Sequence, residues 1–284
     1  RPATVQRTAP GRGEKADPQT NPALRSWSLP ELIVQGRAYG RHADWRRGFE
    51  CFRKVIAAGD TNGWTEWEWS WATGSALAAG ETNTCESWCA RMLEGFGREE
   101  HPPTAECCAK ICLALPGISG ALLEKAAERA DFCVALNPDD RYRQMAKAMA
   151  EYRRGHWSNA LEWLRQPEHS SQFDVAIQAC GFAAMARLQL GEVASARKSL
   201  DELNRRLRMI AHTGDLGDRS WDGCARAVAL RAEAERLILG REVSPPLDPP
   251  TIVEQRTRWK GIEQLVQSAE QTARQGNWPQ ARDA

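Results

Sequence analysis

The sequence lacks a surplus of either charge. Lys and Arg number 38 against 37 Asp and Glu, a net of +1. That balance gives no bulk drive toward nucleic acid or an anionic membrane. No apolar run is long enough to span a bilayer and no secretory leader opens the chain, so no membrane partner is expected. Phosphate-loop chemistry is missing too. Gly11-Arg12-Gly13-Glu14-Lys15 has no four-residue gap before its Gly-Lys, no following Ser or Thr, and no preceding strand. The five histidines, His42, His101, His156, His169 and His212, have no cysteine or carboxylate beside them at a catalytic spacing. Asp215, Asp218 and Asp222 do not follow the calcium-loop pattern, and capping of a helix by Asp218 or Ser220 explains that run better. No catalytic residue, no cofactor and no enzymatic activity are expected of this chain.

Cysteine is not scarce. There are nine, in a chain too long to need disulfide staples, and reduced thiols in a cytoplasmic protein are expected. Cys85 and Cys89 are four apart, and Cys107, Cys108 and Cys112 form a second group. A zinc or iron–sulfur site would use such thiols from a knuckle. Here both groups fall inside helical patterns, where free cysteine serves as a small core residue. The expectation is therefore no metal.

What is present is a repeated helix pair. Residues Ala38 to Asp60 read as the end of one helix, a tight turn and a full second helix. Gly48, Phe52 and Val55 share one face of that second helix. A small residue at 48 admits the first helix closely, and the two larger ones fill the gap. The small position recurs at Cys85, Ala126, Ala160 and Ala196, at intervals of 37, 41, 34 and 36 residues. Those intervals lie close to the 34-residue period of tetratricopeptide arrays. Gly80, Gly155 and Gly191 mark turns, Ser28 and Pro30 a helix start, and Asp44 a cap.

The expected fold is all-α, a tetratricopeptide-like α-solenoid of about five helix pairs over residues 27–240. A helix from about Ser220 to Leu239 has no pair and is expected to close the exposed end of the array. Residues 1–26, polar with four prolines, read as a disordered linker. Residues 241–250 read as a Pro-rich linker, and 251–284 as the start of a further, truncated helical module. The chain begins on Arg1 and breaks off near Ala281, so we expect it to belong to a longer polypeptide.

The runs WSWATGSALAAG, CESWCARMLEGFG, AECCAKICLALPG, AMAEYRRGHWSNALEWL, MARLQLGEVASARKSL and GDLGDRSW, in that order and spacing, carry a resemblance. Across residues 29–240 the chain is similar to the C-terminal tetratricopeptide-like region of serine/threonine protein kinases from planctomycetes and related bacteria. The pattern departs from the general repeat at Gly48, where alanine is usual, and in the turn of the third unit. The resemblance implies a helical array joined to a signalling module elsewhere. The Gly-rich loop with its strand lysine, the His-Arg-Asp loop and Asp-Phe-Gly are absent, so no catalytic residue carries over.

Two function readings follow. One is a non-catalytic scaffold that binds a protein or peptide. The other is the regulatory arm of a bacterial kinase whose catalytic domain lies outside this chain. The candidate contact surface centres on the cluster Trp64, Trp67, Trp69 and Trp71. Repeat phasing turns Trp69 into its unit and projects Trp67 and Trp71 onto the concave face. Arg37, Arg41, Tyr142, Met145 and Met149 fall on the same face in other units, with Ile33, Val34, Tyr152, Phe182 and Met185. This surface is either a groove for an amphipathic helix or extended peptide, or a stripe buried against the array's own helices. The Lys and Asn clamp that grips peptide carboxylates does not appear, so chaperone tails are poor candidates. The pairs Arg46-Arg47 and Arg205-Arg206 read as solvated helix faces and not as a nucleic-acid stripe.

Overall fold

The structure is a computed structural model that describes residues 27–98, 100–213, 216 and 221–241. The expected N-terminal linker, the Pro-rich stretch from residue 242 and the further module at 251–284 lie outside the described residues. The described part is all-helical and repeat-like. Its helices are α1 (Leu29–Arg41), α2 (Trp45–Ala57), α3 (Glu66–Ala78), α4 (Thr82–Phe96), α5 (Pro102–Leu113), α6 (Gly120–Leu136), α7 (Arg141–Arg153) and α8 (Trp157–Leu164). A short 3-10 turn (Pro167–His169) follows, then α9 (Phe173–Gln189), α10 (Val193–Thr213) and α11 (Trp221–Leu239). Among the described residues no helix is long and apolar enough to cross a membrane.

Local chemistry sets the helix ends. Ser28 precedes α1, and the Glu31 carboxylate accepts from its backbone N–H at 2.7 Å. Thr65 and Glu68 repeat this reciprocal arrangement at α3, at 2.8 Å. Asp44 caps α2, and Asp140 accepts from the N–H groups of Tyr142 and Arg143 at the start of α7.

Four of the five pairs turn in the same way. The N–H groups of Asp44, Glu81, His156 and Glu192 donate to the carbonyls of Tyr39, Ala76, Glu151 and Arg187, each at 2.9 Å. The residue before each donor is left-handed, with φ of 56° at Ala43, 81° at Gly80, 83° at Gly155 and 80° at Gly191. This is the Schellman termination, in which a backbone hydrogen bond reaches back five residues and satisfies a carbonyl the helix leaves orphaned. Ala43 alone does so without glycine among the described residues. The next helix then begins, and the N–H of Gly48, Cys85, Ala160 or Ala196 donates to the carbonyl of that same donor residue. The small position thus sits at a constant distance from the turn, which is why it recurs in register. The third pair has a longer connection through Pro116 and Gly117.

Packing follows the phase. Cys85, Ala126, Ala160 and Ala196 are fully buried, as are Phe52, Val55, Cys89, Met92, Ala130, Cys133, Leu164 and Leu203. A Cβ on Gly48 would lie 3.1 Å from Ser75 Oγ and 3.3 Å from the Gly36 carbonyl, and one on Gly36 would lie 2.8 Å from the Phe52 ring. The tightest approach of α1 to α2 is at Gly36, and Gly48 leaves little room for a side chain against α1 and α3. The first helices α1, α3, α5, α7 and α9 touch in succession, and α2, α4, α6 and α8 each touch the first helix of the next pair.

The last helix does more than cover the last pair of the row. It lies against α9 and α10 but also against α3 and α1. Helices α3 and α9 are separated in the row by α5 and α7, so the row curves around α11. Its residues suit that place. Trp221 is fully buried over Gly40, while Gly74 faces Asp222 and Ala225 and Gly181 faces Leu230.

Candidate functional site

The inner face of the row is occupied by α11 and by a chain of buried polar groups. Arg226 of α11 lies 3.0 Å from Asp222 one turn earlier. It donates to Ser70 Oγ of α3 at 2.7 Å and to Gln178 Oε1 of α9 at 3.2 Å. The Ser70 hydroxyl in turn donates to Asp222 at 2.5 Å. Gln178 donates to the Asp174 carbonyl at 2.8 Å, and the Tyr142 hydroxyl of α7 donates to the Asp174 carboxylate at 3.4 Å. Lys110 of α5 stands 4.5 Å from the centre of the Tyr142 ring and pairs with Glu106. Burial alone would raise Asp222, but the Arg226 charge and the Ser70 hydrogen bond outweigh it and hold the carboxyl below its usual range. Burial, with Asp174 nearby, pushes Tyr142 up to about 12. A second tie joins Arg153 of α7 to Glu233 of α11 through two bonds, at 2.5 and 2.8 Å. Trp221 stacks on Trp45 with ring centres 6.3 Å apart.

The expected contact residues divide. Trp69 is buried and meets Trp64 edge-on at 5.1 Å, packing within its unit as its phase requires. Trp67 is 48% exposed. Trp71 is half-buried, with the Arg37 guanidinium 4.1 Å above its ring. Val34, one turn before Arg37, is also exposed. Arg41 is half-buried, and its carbonyl accepts from the Leu216 N–H at 2.9 Å. These residues gather along α1 and α3.

The other part of the expected surface is corrected. Met145 and Met149 are fully buried, as are Phe182 and Met185, and no partner reaches them. Tyr142 is half-buried within the polar chain. The cause is curvature. The row wraps α11, so this stripe is interior packing, and only the α1–α3 edge stays accessible. The polar chain was missed at the sequence level. Its local signals are the Asp222–Arg226 and Glu106–Lys110 spacings, each of which places opposite charges on one helix face.

The cysteines are all free and buried. Cys85 and Cys89 sulfurs lie 4.0 Å apart on α4. Hydrogen bonds from Cys112 and Cys85 pull Cys89 down, while the same contacts and burial push those two up. Burial pushes Cys51, Cys108 and Cys133 up to about 12. Among the described residues no group of three or more His, Cys, Asp or Glu is placed to hold a metal ion.

Comparison with protein-family models gives no match, and neither does comparison with curated proteins. The functional reading therefore rests on the surface itself.

Proposed function

We propose that this chain is a non-catalytic protein-interaction scaffold of tetratricopeptide-like helix pairs. The common turn geometry of four pairs and the recurring small position support the repeat reading. The observation that carries the function is the α1–α3 edge, where Trp67 is exposed beside Trp71, Arg37 and Val34. A large ring left in water is a cost that binding removes. Tryptophan is enriched among interface residues whose loss costs at least about 2 kcal/mol. Arg37 and Arg41 lie along the same edge, where a cation orients an acidic flank of a partner and speeds its association. The partner class is an amphipathic helix or extended peptide with an apolar anchor. The kinase-arm reading rests on the sequence resemblance and uses this same edge within a longer chain.

The test is capture by the full chain, read by mass spectrometry, against Trp67→Ala with Trp71→Ala. Loss of a partner with an unchanged circular-dichroism spectrum supports the edge. A double variant that unfolds makes both rings core, and a folded one that captures normally moves the site elsewhere.

A further inference from the structure

Helix α8 has 8 residues and α10 has 21. At 1.5 Å per residue these span about 12 and 31 Å. The second helix of the fifth pair therefore outruns the second helix before it. From residue 195 to residue 208 α10 faces the 3-10 turn, across a groove of about 830 Å³ that Arg187 and Cys180 of α9 also line. Its volume is in the range of ordinary ligand clefts.

The groove is cationic in a chain that is nearly neutral. Five Lys or Arg side chains line it against three carboxylates. Their pairing leaves a defined surplus. Arg187 forks onto Glu168 at 3.0 and 3.1 Å. Arg205 grips Glu202 at 2.6 and 2.7 Å, and Arg206 shares the same carboxylate at 2.7 Å. The Arg205 hydrogen bond, with Arg206 behind it, holds the Glu202 carboxyl down to about 2. Two guanidiniums thus converge on one carboxylate, fixed by charge-assisted bonds. Lys198 and Arg208 add two more cations to the lining, and neither has an ion-pair partner among the described residues.

We propose that this groove binds an acidic peptide segment, with Lys198 and Arg208 taking its carboxylates. The alternative polyanion is a nucleic-acid strand. Glu168, Asp201 and Glu202 interrupt the cations at set positions. Such a lining repels an unbroken phosphate backbone but admits a peptide whose acids are separated by neutral residues. The groove shares no residue with the Trp67–Trp71 edge, so the two sites stand or fall separately.

The experiment is fluorescence anisotropy of the full chain with a labelled ten-residue peptide of alternating Glu and Ser. Binding is expected at low salt, and raising the salt weakens it. Lys198→Glu with Arg208→Glu should weaken binding at least about tenfold, as expected for reversing two peripheral charges worth somewhat under 1 kcal/mol each. Arg46→Glu with Arg53→Glu on α2 should leave it unchanged. Absence of binding, or equal losses in the two double variants, overturns the proposal. So does tighter binding of a labelled ten-nucleotide single strand, which would make the groove a nucleic-acid site.

Discussion

Replacing Arg226 by methionine should unlatch α11 from the row. The guanidinium is buried and touches Asp222, Ser70 and Gln178 on two other helices and its own. Without it, Asp222 remains buried with the Ser70 hydroxyl and the Gly223 N–H as hydrogen-bond partners and no cation in contact among the described residues. Removing one member of a buried ion pair typically costs about 3–5 kcal/mol, because the other charge is left uncompensated. For an array of this size each kcal/mol moves Tm by about 2–4 °C, so a drop of about 6–20 °C is expected. The double change Asp222→Asn with Arg226→Met removes both charges and should recover most of that loss. Urea unfolding at pH 7, followed by circular dichroism, measures all four corners of the cycle. The pH dependence adds an independent readout. Asp222 has a folded pKa below its ordinary value, so its contribution is present above about pH 4 and is lost as pH falls through the folded pKa. Wild type should lose stability on acidification more steeply than Asp222→Asn. A single Arg226→Met variant within about 1 kcal/mol of wild type would refute the latch, since no buried charge would then be left stranded.

Two further outcomes test the close approaches in the fold. Gly40→Ala places a Cβ 2.3 Å from the Trp221 ring, and should cost at least about 1–3 kcal/mol by overpacking; an unchanged melting temperature would mean that Trp221 does not sit there. Ala43→Gly relieves the one left-handed turn residue among the described residues that is not glycine. The relief of about 1–2 kcal/mol exceeds the added unfolded-state entropy of about 0.4–1 kcal/mol, so thermal scanning should show a modest rise in Tm.

The repeat was legible in the sequence because its causes are local. Helix period puts Gly48, Phe52 and Val55 on one face whatever surrounds them. Turn chemistry puts glycine at 80, 155 and 191, and Ser28 and Asp44 ahead of helices. The same phase turned Trp69 inward and left Trp67 outside. The fate of Met145 and Met149 was not legible. Helices such as α9 are apolar around most of their circumference and are buried along most of their length. A sequence with no polar face cannot say whether a side chain meets its own pair, the next pair or a helix from far along the chain. The partners of the polar chain are farther still, with Ser70 152 residues from Asp222 and 156 from Arg226. The curvature of the row decided those contacts. Curvature is the sum of many small offsets between neighbouring helices, and no single segment encodes it. It closed most of the expected inner surface around α11 and left the α1–α3 edge open. The α10 groove likewise came from tertiary structure, because its lining joins Glu168 of the 3-10 turn, Arg187 of α9 and Arg206 of α10 only in the packed array.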